Sequence, residues 1–332
     1  MRLLTSGKVT RILSIDGGGI RGIIPAVVLA EVEKRTGKPI AGLFDLIAGT
    51  STGGILALGL TIPKEVNAPL YTAQDLVALY QREGRRIFSR SFLRKVFACD
   101  NLTWKKYSSQ GIEQVLSEYF GEARLRDAVT DVLITSYEVE RRFPFFFRSS
   151  RARERLDYDF PAREVARATS AAPTYFEPMK LLTGTIPDHY TLIDGGVFAN
   201  NPAACALVEA RTTRPESHTY LMVSLGTGTL MRNLPLTVAK YWGSLRWAKP
   251  LIDVVFDGVS STVDYQLREL VPDTPNPGKL YYRFQVELNG HDASLDNASA
   301  NNITALKALA EELVDRESRD IDQLCEKLAK KD

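Results

Sequence analysis

Cysteine and histidine are scarce in this chain of 332 residues, and the scarcity excludes whole classes of protein. The three cysteines, Cys99, Cys205 and Cys325, are odd in number, far apart and in no CxxC pair. A disulfide framework is therefore excluded, and no Cys/His cluster indicates a zinc or other metal site. This cysteine usage favours a reducing, cytoplasmic setting.

Long hydrophobic runs are missing as well. No apolar stretch approaches the roughly 20 residues that span a bilayer. Residues 1–10 lack the apolar core and small-residue cleavage site of a signal peptide. A formal net charge of +2 gives no overall attraction to nucleic acid, so we expect no DNA or RNA polymer as a partner. Any contact with a membrane is expected to be peripheral.

Short apolar segments alternate with helical patterns along most of the chain. Strands are predicted at 11–15, 132–137, 144–148, 190–193, 220–225 and near 281–286, with helices along the rest of the chain. This alternation predicts an α/β layered fold with a mostly parallel central sheet. No linker is evident, so we divide the chain into a core at 11–213 and a second part of the same domain at 214–332. That part is expected to add one strand and a mostly helical extension.

A serine between two glycines is the most informative motif. Gly49, Ser51 and Gly53 form a G-x-S-x-G pattern between an apolar run at 43–48 and a helix-compatible run at 55–60. This layout is typical of a nucleophile elbow, a tight strand-to-helix turn that exposes one serine hydroxyl. The pattern also occurs in ordinary turns, so other residues must supply a base and an oxyanion hole if Ser51 is a nucleophile.

The histidines are poor candidates for the base. They are His189, His218 and His291, and none of them lies in a glycine-rich loop after a strand. Asp194 does, because it ends a predicted strand and is followed by Gly195 and Gly196. A desolvated carboxylate next to the serine is able to accept its proton, since burial raises the pKa of the carboxyl group. The alternative is an aspartate that merely caps an Asp-Gly turn.

A third glycine-rich loop supplies the candidate oxyanion hole. All three loops follow strands, and we expect them to meet because the carboxyl ends of parallel strands lie at one edge of a sheet. Gly17, Gly18 and Gly19 follow the first strand and precede a helix. Their backbone N–H groups would stabilise the negative oxygen that forms when an ester carbonyl is attacked. Arg21 is expected to support this loop, either by positioning it or by assisting with the anion.

The same loop also fits a different class of protein. Residues 17–22 match G-x-G-x-x-G, the fingerprint of dinucleotide-binding proteins such as oxidoreductases. That fingerprint requires an acidic residue at the end of the second strand. Asp45 is the nearest acidic residue at a suitable distance, but it lies at the start of its strand. The dinucleotide interpretation also leaves the elbow at Ser51 unexplained.

Taken together, these motifs resemble the signature blocks of the patatin-like phospholipases. The matching segments are residues 16–22, 49–54 and 194–196, with a further similar segment at 168–176. The resemblance spans about residues 11–225. It implies a three-layer α/β/α patatin-like fold and a catalytic pair of Ser51 and Asp194, supported by Gly49, Gly53, Gly195 and Gly196. It further implies hydrolysis of acyl esters in membrane phospholipids at the inner membrane surface, without a metal or a required cofactor.

The resemblance extends to bacterial members of the family that act in anti-phage defence when a cyclic dinucleotide activates them. The sequence offers one feature that suits such an activator, a group of arginines around the apolar segment 143–147. These are Arg141, Arg142, Arg148, Arg151, Arg153 and Arg155. A solvated, ordinary strand edge explains them equally well, and a nucleotide-sensing module with weak or gated hydrolysis is the alternative function. A homo-oligomer is left open.

Aromatic side chains in two regions are candidates for a lid or an acyl channel. One region contains Phe92, Phe97 and Trp104, and the other contains Trp242 and Trp247. Aromatics at such positions more often belong to the core.

Overall fold

The structure is a computed structural model of the whole chain, and it describes residues 9–65, 68–87, 108–186, 188–230, 235–275, 278–288 and 294–330. Its strands are β1 (Val9–Ile15), β2 (Leu46–Thr50), β3 (Pro63–Glu65), β4 (Ala68–Pro69), β5 (Asp131–Glu138), β6 (Phe143–Arg148), β7 (Met179–Leu182), β8 (His189–Asp194), β9 (Thr219–Leu225), β10 (Thr229–Leu230), β11 (Tyr281–Phe284) and β12 (Glu287–Leu288). Its helices are α1 (Ile23–Thr36), α2 (Thr52–Gly59), α3 (Ala73–Ile87), α4 (Ser109–Phe120), α5 (Ser149–Glu154), α6 (Ala162–Thr169), α7 (Gly196–Ala199), α8 (Ala203–Thr213), α9 (Leu236–Ala239), α10 (Ser244–Leu270), α11 (Ala300–Arg316) and α12 (Ser318–Ala329).

Eight strands form one central sheet in the order β11-β9-β1-β2-β5-β8-β7, with β6 also paired to β5. The pairs from β11 to β5 are all parallel, whereas β6, β8 and β7 join through antiparallel pairs. The predicted α/β fold with a mostly parallel sheet is therefore confirmed. The antiparallel strands at one side were not predicted.

Both faces of the sheet are covered, which explains why its strands read as nearly continuous apolar runs. Neighbouring residues of β1 point to opposite faces, so that Leu13 joins the larger core and Ile12 the smaller one. Helices α1, α2 and α3 contribute to the larger core. Helix α8 and the end of α10 contribute to the smaller core. Two cores separated by a sheet give the three layers of an α/β/α fold.

The C-terminal third contributes directly to this sheet. Strands β9 and β11 both belong to it and match the runs predicted as strands at 220–225 and near 281–286, so residues 214–332 add two strands rather than the one counted in the domain division. The second strand fits because a crossover through α10 returns the chain parallel to β9. The predicted helical stretch near the C-terminus is two helices, α11 and α12, which meet at Glu317. The division at residue 213 stays a prediction.

Candidate active site

Ser51 lies in a strained turn between β2 and α2. Its backbone φ is 55°, a value that residues other than glycine seldom adopt. The Ser51 amide donates a hydrogen bond to Thr169 Oγ1 at 2.8 Å, and the Thr169 hydroxyl in turn donates to the Thr135 carbonyl at 2.6 Å. This chain of hydrogen bonds fixes the turn to β5. Strain of this kind persists only where the surroundings enforce it, and it is frequent at functional sites.

The glycines on either side of Ser51 have steric reasons to be glycine. A Cβ atom on Gly49 would collide with the backbone of Gly53. A Cβ atom on Gly53 would collide with the carbonyl group of Ile15, at the end of β1. The sharp turn therefore requires small residues at both places, as in a nucleophile elbow.

Asp194 ends β8 and is fully buried beside Ser51. The Gly196 amide donates a hydrogen bond to its Oδ1 at 2.7 Å. Its other oxygen, Oδ2, is buried and has no partner with standard hydrogen-bond geometry among the described residues. Burial raises the pKa of Asp194 to about 7, against the lowering effect of hydrogen bonds from the Ser51 hydroxyl and the Gly196 amide. A carboxyl group with this pKa is suited to accept and return a proton near neutral pH.

Strand β5 explains why Ser51 and Asp194 meet. Thr50, the last residue of β2, is paired with Thr135, and Asp194 is paired with the next residue, Ser136. Strand β6 pairs with Leu133 to Glu138 and so occupies one edge of β5. Strands β2 and β8 must therefore share the other edge, where their final residues meet end to end.

This arrangement corrects part of the expectation from the sequence. The three loops were expected to converge because the carboxyl ends of parallel strands lie at one edge of a sheet. That reason holds for the loops after β1 and β2. It fails for Asp194, because β8 is antiparallel to β5 and approaches from the opposite direction.

Gly17, Gly18 and Gly19 lie next to this pair, but they are not equivalent. The Gly17 amide donates to the Asn200 carbonyl at 3.0 Å, so it is not available to an oxyanion. Gly18 and Gly19 begin a short 3₁₀ helix, where the first amides have no helical acceptor, and their amides have no hydrogen bond to the residues that the structure describes. The expected oxyanion hole of three glycines is thus reduced to two donors.

Side chains at all three positions would be obstructed. A Cβ atom would meet the side chain of Asn200 at Gly17, that of Thr227 at Gly18 and the carbonyl of Leu295 at Gly19. Gly19 also has a positive φ of 57°.

Arg21 faces away from Ser51. Its Nε donates to the Gly18 carbonyl at 3.3 Å, and its side chain lines a second, polar cavity rather than the one at Ser51. Burial lowers the pKa of Arg21, while Asp257 and Asp253 act to raise it. Of the two roles expected for Arg21, the geometry fits positioning of the loop.

Ser51 and Asp194 open onto a cavity with a mostly apolar lining. Its walls combine the candidate catalytic groups with aliphatic and aromatic side chains: Gly18, Gly19, Ile20, Ser51, Thr52, Ile55, Tyr80, Ile87, Ile112, Ser170, Ala172, Tyr175, Phe176, Asp194, Phe256 and Leu295. Such a cavity accommodates a flexible apolar group with its polar end at Ser51. It offers no obvious place for a dinucleotide, and Asp45 precedes β2 at the end opposite to Ser51.

None of the described residues that line this cavity is a histidine. His189 is at the start of β8, a full strand away from Asp194, and its Nδ1 lies 2.7 Å from Asp188 Oδ1. His218 is exposed in the loop before β9, and His291 is outside the described residues. A carboxylate is therefore the base that the described site offers.

Sequence reasoning missed several residues of the site. Thr169 was predicted only as part of a segment that shapes the site, not as the hydrogen-bond partner of Ser51. Phe256 and Leu295 line the cavity from the C-terminal third, and no motif marks them. Arg283 on β11 forms a buried ion pair with Asp16, immediately before the glycine loop. The contact of Thr169 with Ser51 and that of Arg283 with Asp16 join segments 118 and 267 positions apart, so local patterns do not reveal them.

The arginine group near β6 is mostly neutralised by neighbours. Arg141, Arg148, Arg153 and Arg155 form ion pairs with Glu138, Glu209, Asp131 and Asp157 respectively. Arg151 stacks on the ring of Tyr158, with 3.6 Å between its guanidinium carbon and the ring centroid. This group is therefore a poor candidate for a preformed phosphate site.

The aromatic residues that were candidates for a lid or an acyl channel fall into two groups. Phe92, Phe97 and Trp104 lie outside the described residues. Trp242 and Trp247 are half-buried, pack against each other with 5.3 Å between ring centroids, and are not among the described residues that line the apolar cavity.

The fold, with a serine beside a buried aspartate, fits the patatin-like class expected from the sequence, and comparison with known proteins agrees. The family model of the patatin-like phospholipases matches residues 13–207. "Probable inactive patatin-3-Kuras 1" from Solanum tuberosum is 33% identical, over 93% of this chain and 87% of its own length. "Patatin-like protein 2" from Arabidopsis thaliana is also 33% identical, over 93% of this chain and 84% of its own.

The chain belongs to the patatin-like phospholipase family. Membership supports lipid acyl hydrolase activity in general terms, although the name of one relative describes that protein as inactive. Among solved structures, VipD from Legionella pneumophila aligns with 93% of this chain and 67% of its own length. The sequence identity is 13% and the TM-score is 0.36. In the described part of the chain, no helix has the length and hydrophobicity that crossing a membrane requires.

Proposed function

We propose that the protein hydrolyses acyl esters of membrane phospholipids, with Ser51 as the nucleophile and Asp194 as the base. The observation that carries this proposal is that Thr50, directly before Ser51, and Asp194 pair with consecutive positions of β5, at one end of an apolar cavity. The cavity suits an acyl chain, and the candidate catalytic groups lie where the ester of such a chain would be.

The first half of the reaction transfers the acyl group to the protein. Ser51 Oγ attacks the ester carbonyl carbon while Asp194 Oδ2 accepts the hydroxyl proton. The amides of Gly18 and Gly19 stabilise the negative oxygen of the tetrahedral intermediate. The intermediate collapses, the bond to the alcohol oxygen breaks, and Asp194 returns the proton to the departing lysophospholipid.

The second half releases the fatty acid. Water attacks the acyl-serine carbonyl carbon, and Asp194 accepts a proton from this water. Collapse of the second tetrahedral intermediate frees the fatty acid, and the proton returns to Ser51 Oγ. Asp194 thus alternates between base and acid, a role that a pKa of about 7 suits.

The test compares fatty-acid release from phosphatidylglycerol vesicles by the wild type, Ser51→Ala and Asp194→Asn. Both variants are expected to lose at least about a thousandfold in rate, because the nucleophile and its base act as a unit. Ser117→Ala, a change on the exposed side of α4, serves as the matched control and is expected to retain wild-type activity. Undiminished hydrolysis by Ser51→Ala would contradict the proposal.

Activation by a cyclic dinucleotide and a role in anti-phage defence stay predictions from the resemblance. The ion pairs of Arg141, Arg148 and Arg153 give an activator site near β6 no support. Vesicle hydrolysis measured with and without a panel of cyclic dinucleotides tests this prediction. A rate that none of them changes, together with no heat of binding, would remove both the activator and the alternative of a nucleotide-sensing module.

A further inference from the structure

Helix α10 exposes several aliphatic side chains and half-buries two carboxylates, although Phe256 on the same helix is buried. Asp253 and Asp257 are half-buried on the side near Arg21, whose pKa both carboxylates raise. Leu251 and Val254, in contrast, are 50% and 47% exposed. A surface helix in water normally buries its aliphatic residues and exposes its carboxylates. This helix therefore presents an apolar face that the described part of the chain leaves uncovered.

Exposed apolar residues continue into the segment before α10. Leu236 on α9 is 78% exposed and Tyr241 is 73% exposed. Trp242 and Trp247 form an edge-to-face pair beside them. Tryptophan and tyrosine are enriched where a protein meets the boundary between lipid and water, because each has an apolar body and a polar group.

The charge of this segment has one sign. Between Glu216 and Asp253 the sequence has no carboxylate, and it has the four cations Arg232, Lys240, Arg246 and Lys249. Lys240 and Arg246 are exposed, and Lys240 Nζ lies 4.7 Å from the centroid of the Tyr241 ring. A net positive, aromatic and aliphatic surface complements an anionic lipid surface.

We propose that this surface binds the face of an anionic lipid bilayer. We call it the interfacial surface and define it by Leu236, Tyr241, Leu251, Val254 and Val255 with the cations Lys240 and Arg246. The proposal rests on the proposed function, because it supplies the membrane contact that a phospholipid hydrolase needs. It names the part of the chain that makes this contact.

The interfacial surface and the wall of the apolar cavity share helix α10. Phe256 follows Val255 on α10 and is buried in the wall of the apolar cavity, where it lies close to Gly196 beside Asp194. One helix therefore presents aliphatic side chains outward and an aromatic side chain to the cavity. An acyl chain leaving a bilayer against α10 would have apolar contacts on the way to Ser51. This shared helix favours a bilayer over a protein partner or a second copy of the chain.

Binding is tested apart from hydrolysis, in the Ser51→Ala background. Vesicles of equal parts phosphatidylcholine and phosphatidylglycerol are sedimented with the protein, and the bound fraction gives an apparent Kd. The triple variant Leu251→Gln, Val254→Gln and Val255→Gln is expected to bind at least tenfold more weakly. Because these side chains are already exposed, its thermal unfolding midpoint should stay that of the parent.

A matched control places glutamine at exposed apolar residues elsewhere on the protein. Leu156, Leu182 and Val208 are 75%, 68% and 64% exposed and lie outside the interfacial surface. Their triple glutamine variant is expected to bind vesicles within twofold of the parent. Equal binding by the two triple variants would overturn the proposal. A second outcome would also overturn it: if the triple variant at the interfacial surface converted a dimer to a monomer and left vesicle binding unaltered, the surface would be an interface between copies of the chain.

Activity in the wild-type background separates this proposal from the proposed function. Against p-nitrophenyl butyrate, a soluble ester, the interfacial triple variant is expected to retain activity within twofold while its vesicle hydrolysis falls at least tenfold. If Ser51→Ala hydrolysed the soluble ester as well as wild type, the catalytic proposal would fail and the binding result would still stand. If the interfacial variant hydrolysed vesicles at the wild-type rate, the interfacial surface would be wrong and Ser51 chemistry unaffected.

Discussion

Arg283, on β11 in the C-terminal third, donates hydrogen bonds to both carboxylate oxygens of Asp16. Its Nη1 donates to Oδ1 at 3.0 Å and its Nη2 to Oδ2 at 2.6 Å, with both side chains buried. Arg283 Nη1 also donates to Ser224 Oγ on β9 at 2.8 Å. Asp16 immediately precedes Gly17, so a strand from the C-terminal third fixes the start of the glycine loop. This relationship gives the first prediction.

Arg283→Met leaves Asp16 as a buried carboxylate without its charged partner. Loss of one member of a buried ion pair typically costs about 3–5 kcal/mol, and we expect a loss of this order in urea unfolding. Arg268→Met is the control, because Arg268 is exposed and its pair with Asp264 should contribute about 1 kcal/mol or less. The double variant Asp16→Asn with Arg283→Met should recover part of the loss. Equal effects of the two arginine variants would contradict the structure.

The rate of ester hydrolysis should follow the ionisation of Asp194. Only the carboxylate form accepts the serine proton, and burial raises its pKa to about 7. Below that pH, kcat/KM for a soluble ester should fall about tenfold per unit, and above it the rate should level off. A pH profile from 5 to 9 measures this. A profile that is flat across neutral pH would show that another group acts as the base.

The raised pKa of Asp194 also predicts how stability depends on pH: stability should fall as the pH rises, whereas activity should rise. The pKa of Asp194 is near the ordinary value of 3.8 in the unfolded chain and is raised to about 7 by burial in the folded protein. The native state therefore binds more protons between these values, and its stability decreases as the pH rises through this window. Asp194→Asn removes this titration, so its unfolding midpoint relative to wild type should be higher at pH 8 than at pH 4. A difference that is independent of pH would refute the burial of this carboxyl.

Gly19→Ala should damage the oxyanion hole without unfolding the protein. The new methyl group would meet the Leu295 carbonyl at a positive φ, so the loop must move away from Ser51. Loss of one oxyanion donor typically costs about 100-fold or more in rate, and we expect a fall in kcat of this order. Gly42→Ala is the control, because Gly42 is exposed and the nearest atom to its added Cβ is 3.9 Å away. Unchanged kcat in Gly19→Ala would exclude this loop from the reaction.

Much of the candidate site could be predicted from the sequence because the relevant signals are local. Ser51 needs close backbone approach from small neighbours, and glycine at positions 49 and 53 records that need within five residues. Asp194 is followed by Gly195 and Gly196, and Gly196 then supplies the amide that binds its carboxylate. The assignment of Gly17 as an oxyanion donor was wrong, because its acceptor is the Asn200 carbonyl, which no local pattern indicates.

The sequence by itself determined the alternation of strands and helices and the tight turn at Ser51, and it favoured a carboxylate over a histidine as the candidate base. These follow from local backbone geometry and side-chain chemistry. Only the tertiary structure decided how Ser51 reaches Asp194, because β8 runs antiparallel along the edge of β5 where β2 ends. It also decided that Arg283 anchors the glycine loop and that Phe256 forms the cavity wall. Such contacts depend on strand order and helix crossover, which the spacing of residues along the chain does not specify.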